Sequence, residues 1–249
     1  MALYRIDLHI HSILSPCADL FISPSAILKR AISIGLDIIA ITDHNMAENG
    51  KALAEKIRES DLSLRCFYGL EVQTEEEVHL LCLFEYIETA MLMQDYIYPL
   101  LPDVKNDPER FGYQVVVDKD DNIIRQEENL LINSVMLTCS DIFNKVVDLD
   151  GIVIPAHIDK PVYSIISQLG FIPDDIPFPT LEVSRNADID KMREVYSDFN
   201  LVSFSDSHWL DAMGSVYTEI ELEDKSFRAF KKAVLKKQEK PFKIVRTKR

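Results

Sequence analysis

The chain predicts an α/β barrel, and three observations carry that prediction. Apolar, largely β-branched runs alternate with helix-forming stretches along most of its 249 residues. All six histidines fall at the ends of predicted strands or just beyond them. Those histidines are scattered from residue 9 to residue 208. A closed barrel brings the carboxyl ends of such distant strands to one mouth, whereas an open doubly wound sheet would fan them out.

The apolar run at 3–8 reads as the first strand, and Ser23-Pro24 marks a helix start, with serine as N-cap and proline at the first helical position. Gly35 ends that helix. Asp37-Ile38-Ile39-Ala40-Ile41 is a short strand delivering Asp43 and His44, and the Ala/Leu/Glu/Lys-rich stretch 47–59 follows as a helix. Further strand-like runs lie near 64–70, 78–84, 152–156, 180–183 and 201–204, with helical segments near 141–149, 161–169, 187–198 and 225–237. Strands alternating with helices predict a parallel sheet, whose ligands collect at the carboxyl ends, and every histidine motif is placed at such an end. The alternation breaks between about 85 and 140: a helix-like segment at 86–98, a Pro/Asp-rich turn region at 99–110, and a hairpin in which Val115-Val116-Val117 and Ile123-Ile124 flank Asp118-Lys119-Asp120-Asp121-Asn122. We read 1–249 as one domain and 85–140 as an insertion within it, either a lid or specificity element at the mouth or a packing ornament.

With 47% hydrophobic residues the chain can bury a sizeable core, and its formal charge of −14 argues against a general affinity for nucleic acid or anionic membrane. An anionic substrate would need local positive charge, which divalent metal ions in one pocket supply. Cys17, Cys66, Cys82 and Cys139 show no CxxC pairing and read as reduced thiols of a soluble cytoplasmic protein, Cys66 and Cys82 as core residues. No window approaches the ~20 apolar residues of a membrane helix. The Lys/Arg residues from Lys231 to Arg249 alternate with apolar ones and read as the exposed face of a last helix and strand.

The chemistry lies in Asp7-Leu8-His9-Ile10-His11, Thr42-Asp43-His44, Gly69-Leu70-Glu71 followed by His79, Pro155-Ala156-His157 and Ser205-Asp206-Ser207-His208. Residues i and i+2 on a strand point to the same side, so His9 and His11 can bind one ion together, with Asp7 on that face. A lone histidine–acid pair is usually structural. Six histidines with none left for the surface point instead to a multinuclear metal site. Asp7 and Asp43 read as carboxylates that fix imidazole tautomers from outside, a helix-terminal or packing role for Asp43 being the alternative.

Taken in order, these motifs resemble those of the PHP (polymerase and histidinol phosphatase) family over residues 5 to about 210, the insertion excepted. The resemblance implies a distorted (β/α)7 TIM-like barrel with a trinuclear metal centre and phosphoesterase activity. It also implies ligand sets: His9, His11, Glu71 and Asp206 for the first metal, Glu71, His79 and His157 for the second, His44 and His208 for the third. The remaining ligand of the third would come from the loop Ser12-Ile13-Leu14-Ser15-Pro16-Cys17-Ala18-Asp19, with Asp19 the first candidate and Cys17 the second. Mixed imidazole and carboxylate ligands suit zinc, manganese or iron.

The expected reaction is hydrolysis of a phosphate ester of a small metabolite or nucleotide by a metal-activated hydroxide. The resemblance further implies that Glu71 would be shared between metals, and Asp206 or His208 could help move the proton to the leaving alcohol. Arg185, just past the strand Leu181-Glu182-Val183-Ser184, and Lys160, just past His157, are positioned for phosphate contacts. Two other classes compete. A metal barrel also polarises carbonyls, so hydrolysis of a C–N or C–O bond is open, although the metal-bridging lysine of amidohydrolase-type sites has no counterpart ahead of a histidine motif. A non-catalytic, metal-stabilised regulatory domain would be expected to have lost ligands. Specificity, the metal and the oligomeric state are not legible in the motifs.

Overall fold

The computed structural model describes residues 1–59 and 63–247. Its first half follows the sequence closely: β1 (Ala2–Ile10), α1 (Pro24–Ile34), β2 (Ile38–Ile41), α2 (Asn49–Arg58), β3 (Arg65–Gln73) and β4 (His79–Phe84). The expected insertion contains α3 (Ile87–Ile97), α4 (Pro108–Phe111), β5 (Val115–Val117) and β6 (Ile123–Gln126). The chain then runs through α5 (Cys139–Asp148), β7 (Ile152–Pro155), α6 (Ile165–Leu169), β8 (Thr180–Glu182), α7 (Ile189–Val195), β9 (Asn200–Val202), β10 (Val216–Leu222), α8 (Phe227–Val234) and β11 (Lys243–Arg246). Among the described residues no helix is long and apolar enough to cross a membrane.

The local signals act as read. Ser23 caps α1 by accepting from the Ala26 N–H, and Gly35 ends it in the left-handed region at φ 73°, which glycine enters without a Cβ clash. Asp121, at the tip of the β5–β6 hairpin, accepts from Ser23 Oγ (2.8 Å) and from the Ser25 N–H (3.2 Å), so the hairpin completes that cap.

The sheet is not the parallel one that alternation predicts. Its order is β11-β10-β1-β2-β3-β4-β7, with β1–β2 and β2–β3 parallel but β1–β10, β10–β11, β3–β4 and β4–β7 antiparallel. β3 and β4 are joined without a helix, so β4 must run back. A separate parallel pair, β8–β9, continues the curl. At one seam the Ile158 N–H donates to the Glu182 carbonyl (2.9 Å), and at the other the His11 N–H donates to the Ser207 carbonyl (2.9 Å). The strands β1, β2, β3, β4, β7, β8 and β9 therefore curl into a distorted barrel.

One apolar cluster fills the barrel, joining Ile6 and Leu8 to Ile38, Phe67, Leu81, Ile154, Val202 and Phe204, with Phe227 and Phe230 of α8. Burial of this kind contributes ~25 cal/mol per Å² of apolar surface. α8 lies across the amino-terminal ends of the strands, where Thr180 Oγ1 donates to the Val234 carbonyl (2.6 Å). The opposite, carboxyl-terminal end is left for polar residues.

The 85–140 segment is docked against that end. Val115 N–H donates to the Ile13 carbonyl (2.9 Å), Asn45 Nδ2 donates to the carbonyls of Leu131 (2.7 Å) and Asn133 (2.8 Å), and Val135 N–H donates to the Gln73 carbonyl (2.9 Å). Gly112 sits so close to the mouth loop that a Cβ there would fall 1.9 Å from the Pro16 carbonyl oxygen.

Candidate metal centre

The strand β1 positions two imidazoles by breaking its own period. Ile6 and Asp7 pair with Ile38 and Ile39, but the next partner of Ile41 is Ile10, so β1 carries one extra residue between Asp7 and Ile10. Such a bulge re-aims side chains. It allows Leu8 to enter the barrel core while His9 and His11 face the mouth, their Nε2 atoms 3.2 Å apart. Asp7 does not share their face: its carboxylate accepts from the N–H groups of Ser205 (3.0 Å) and Gly214 (3.2 Å).

Glu71, fully buried near the end of β3, is the hub. Its Oε1 lies 2.9 Å from His79 Nδ1, 3.1 Å from His157 Nε2 and 3.2 Å from His9 Nε2, and its Oε2 lies 3.1 Å from His44 Nδ1 and 3.4 Å from His11 Nε2. Asp206 Oδ1 stands 3.5 Å from both His9 and His11 Nε2 and 3.6 Å from His208 Nδ1. The His11 and His208 rings stack at 4.2 Å. His79 reaches this rim from an unexpected direction. It opens β4 rather than ending a strand, and antiparallel pairing with Gln73 carries the start of β4 to the mouth. His157 (φ 30°) and Asp206 (φ 47°) both hold positive φ, a strained backbone of the kind that clusters at functional sites.

The protonation states suit cation binding. Burial lowers His11 to about 3, and burial likewise lowers His44 and His208, leaving their lone pairs free. Glu71 and Asp206 are pushed up by burial, but the surrounding imidazoles, and Lys160 beside Asp206, outweigh that and hold both carboxyls well below their ordinary range. His9 is the exception: burial lowers it, yet Glu182, Glu71 and Asp206 together raise it well above the ordinary histidine value. His9 and His11 present Nε2 to Nε2, so a proton or a cation must lie between them. His44 Nδ1 and His157 Nδ1 are buried with no hydrogen-bond partner. Neutral imidazoles around ionised carboxylates are the donor set that divalent metals require.

Three groups of donor atoms lie within 4.8 Å of one another: His9, His11 and Glu71; His44, Glu71 and His79; and His11, His44 and His208. The first group holds three of the four residues expected around one ion, without Asp206. The other two divide the residues differently, with His44 beside Glu71 and His79, and His11 beside His44 and His208. Asp19 is exposed and turned to its own loop: its Oδ1 accepts from the Phe21 N–H (2.8 Å), and only its backbone N–H approaches the centre, donating to the His208 carbonyl (2.7 Å). Cys17 is exposed at the rim, but crowding by neighbouring atoms and the charges of Glu71, Asp206 and Asp43 push its thiol up to about 12.

Asp43 acts on the imidazoles through serines. It accepts from Ser12 N–H (2.7 Å), Ser12 Oγ (2.6 Å) and Ser15 Oγ (2.7 Å), and Ser15 Oγ in turn meets His11 Nδ1 at 2.9 Å. The carboxylate that meets an imidazole directly from outside belongs to Glu182, which the sequence reading passed over. Glu182 is buried, lies 3.0 and 3.1 Å from His9 Nδ1 through its two oxygens, and accepts from the His157 N–H (3.1 Å). Its signal was an acid inside an apolar strand, which must find a partner or stay neutral. Gln73, also passed over, places Oε1 3.0 Å from His79 Nε2. Lys160 pairs with Asp206, and Arg185 lies over the Trp209 ring, its guanidinium 5.4 Å from the centroid.

A family model described as the PHP domain matches residues 7–153. No curated protein matches the chain. Among solved structures, the chain is similar to the lesion-specific endonuclease PfuEndoQ from Pyrococcus furiosus (19% identity, TM-score 0.71, covering 98% of this chain and 58% of that one). It is similar to endonuclease Q in complex with a 27-mer duplex substrate bearing an abasic lesion (18%, 0.70, covering 94% and 56%). A third likeness is to a two-domain protein from Bacteroides vulgatus containing a predicted PHP-like metal-dependent phosphoesterase (13%, 0.59, covering 98% and 65%). The chain thus spans little more than half the length of the two endonuclease chains, and these likenesses speak for the fold. Because the matched model covers more than half of the sequence, from the Asp7 strand to the β7 strand, the chain belongs to the PHP domain family.

Proposed function

We propose that the chain is a metal-dependent phosphoesterase that hydrolyses a phosphate ester of a small metabolite or nucleotide at a centre of about three divalent ions. The observation that carries this reading is the arrangement of five imidazoles around the buried carboxylate of Glu71, with Asp206 beside them. Such ions, when bound, lower the pKa of water and neutralise a phosphoryl oxygen. His9, His11, Glu71 and Asp206 would hold one ion, and His44, His79, His157 and His208 would share the others with Glu71 and His11. Among the described residues, neither Cys17 nor Asp19 belongs to a group of donor atoms that lie within 4.8 Å of one another.

The chain's own residues then do three things. Glu182, Gln73 and the Asp43–Ser15 pair fix the orientation of His9, His79 and His11. Lys160 holds Asp206 by charge, keeping its carboxylate ionised at the mouth. The His208 side chain is 20% exposed while the other histidines are buried, and Asp206 or His208 would move the proton to the leaving oxygen.

Elemental analysis of chelator-free protein beside a His9→Ala variant tests the reading, followed by a phosphate-release screen over sugar phosphates, histidinol phosphate and nucleotides. About three ions per chain and fewer in the variant, with phosphate release that depends on them, is the expected result. Near-zero metal after reconstitution with zinc or manganese would overturn it.

A further inference from the structure

The loop that follows His157 returns to the centre at Tyr163, a residue that the proposed function leaves unused. Between the two lies Lys160, paired with Asp206. At Tyr163 the chain enters the left-handed region (φ 57°), and its carbonyl accepts from the His79 N–H (3.0 Å). The Tyr163 ring lies flat on the His79 imidazole, the centroids 4.9 Å apart and the planes 8° from parallel. That separation is within the range of stacked aromatic pairs. The left-handed region is costly for a residue with a Cβ and open to glycine. Any residue could offer the carbonyl, so neither the turn nor the hydrogen bond calls for a tyrosine here. What the tyrosine adds is the ring, and strain of this kind persists where the surrounding contacts enforce it.

The other contacts of His79 leave one motion open, and the ring closes it. His79 Nδ1 lies 2.9 Å from Glu71 Oε1, and Nε2 lies 3.0 Å from Gln73 Oε1. Contacts at two edge atoms leave a ring able to tilt about the line that joins those atoms. An imidazole nitrogen binds a cation through a lone pair in the plane of the ring, so a tilt would turn Nδ1 away from the donor group that it forms with Glu71 and His44. A second ring packed parallel to the first resists that tilt. We infer that Tyr163 is a positioning residue of the centre: its ring sets the plane of the His79 imidazole and thereby aims Nδ1 at the ion that His79 would share with Glu71 and His44. Gln73 acts from the edge of the imidazole and Tyr163 from its face. This inference rests on the metal centre of the proposed function and not on its ester chemistry.

Three variants separate the ring from the backbone that carries it. Tyr163→Ala removes the ring and keeps the strained backbone, Tyr163→Gly removes the ring and relieves the backbone, and Tyr163→Phe keeps the ring. Stepwise zinc affinities come from competition with a chromophoric chelator, and the visible absorption of cobalt-loaded protein reports the ligand geometry without turnover. The expected result is that Tyr163→Ala and Tyr163→Gly each weaken one ion about tenfold, where the range for an outer partner of a metal-binding histidine begins, and alter the cobalt spectrum. The remaining ions stay within about threefold, as does every ion in Tyr163→Phe, whose cobalt spectrum matches the wild type. Unchanged zinc affinities in Tyr163→Ala, a Tyr163→Gly variant that keeps the affinity lost in Tyr163→Ala, or a Tyr163→Phe variant that loses as much as Tyr163→Ala would each overturn the assignment. The two readings fail separately. Ring-dependent zinc affinity without phosphate release from any ester would keep the role of Tyr163 and remove the phosphoesterase. Metal-dependent phosphate release by a protein whose Tyr163→Ala variant keeps all its zinc affinities would do the reverse.

Discussion

Replacing Glu182 with glutamine separates the charge behind His9 from the packing around it. Side-chain volume is kept, so no cavity opens, but one acceptor becomes a donor. In the native protein both oxygens lie close to His9 Nδ1, at 3.0 and 3.1 Å, and one also accepts from the His157 N–H. The amide has a single oxygen for these two donors, so either His9 or His157 is left facing an N–H in a site from which water is excluded. A hydrogen bond to a charged group is worth ~1.5–3 kcal/mol, which converts to roughly ten- to a hundredfold in affinity. That range agrees with the roughly 10–100-fold cost of losing an outer partner of a metal-binding histidine. The assay is competition for zinc between the protein and a chromophoric chelator, run beside urea unfolding of the chelator-treated proteins to separate metal affinity from stability. Zinc affinity within about twofold of wild type, with unchanged stability, would refute the idea that Glu182 orients His9.

Metal addition is expected to raise the melting temperature: zinc at about a hundred times its Kd stabilises by ~2.7 kcal/mol, or roughly 5–10 °C for a chain of this size, and a flat melting curve across the titration would count against the centre. Asn45→Ala removes the side chain that pins Leu131 and Asn133 and places alanine at φ 51°. A loss of ~3 kcal/mol in urea unfolding and faster amide exchange across 130–135 are expected, whereas loss of stability without faster exchange there would show that Asn45 does not anchor the insertion. Glu127 sets an acid limit. Burial pushes its carboxyl up, but hydrogen bonds from Tyr98, the Asn129 N–H and Arg125 outweigh burial and hold it below its ordinary value. An acid depressed in the folded state stabilises above its unfolded pKa and loses that contribution as pH falls through the folded one. Glu127→Gln should therefore flatten the decline in melting temperature below about pH 4, and an unchanged acid slope would remove Glu127 from that role.

Much of the centre was legible from single positions. Six histidines, Glu71 and Asp206 stand out because an α/β chain rarely spends every histidine at strand ends, and the caps at Ser23 and Gly35 are readable because they answer to backbone groups within a few residues. Asp19 was a different matter. Spacing along the loop made it the first candidate, but whether a carboxylate turns inward depends on the turn it sits in, and this one is taken by the Phe21 N–H. The period of two likewise put Asp7 with His9 and His11, and a one-residue bulge separated them.

What the sequence determined alone is therefore local: which segments are strands or helices, where they start and stop, and which residue types stand at their ends. These follow from periodicity and from bonds between near neighbours. Strand direction is not local. β4 reads like any other apolar run, and only the absence of room for a helix after β3 makes it run back and bring His79 to the mouth at its first residue. Partners distant in sequence are equally silent: His9 and Glu182 lie 173 residues apart, and no pattern along either segment pairs them. The tertiary structure decided these points because barrel closure sets the distances between strand ends, and the buried charge of Glu182 then finds the one imidazole that its strand places within reach.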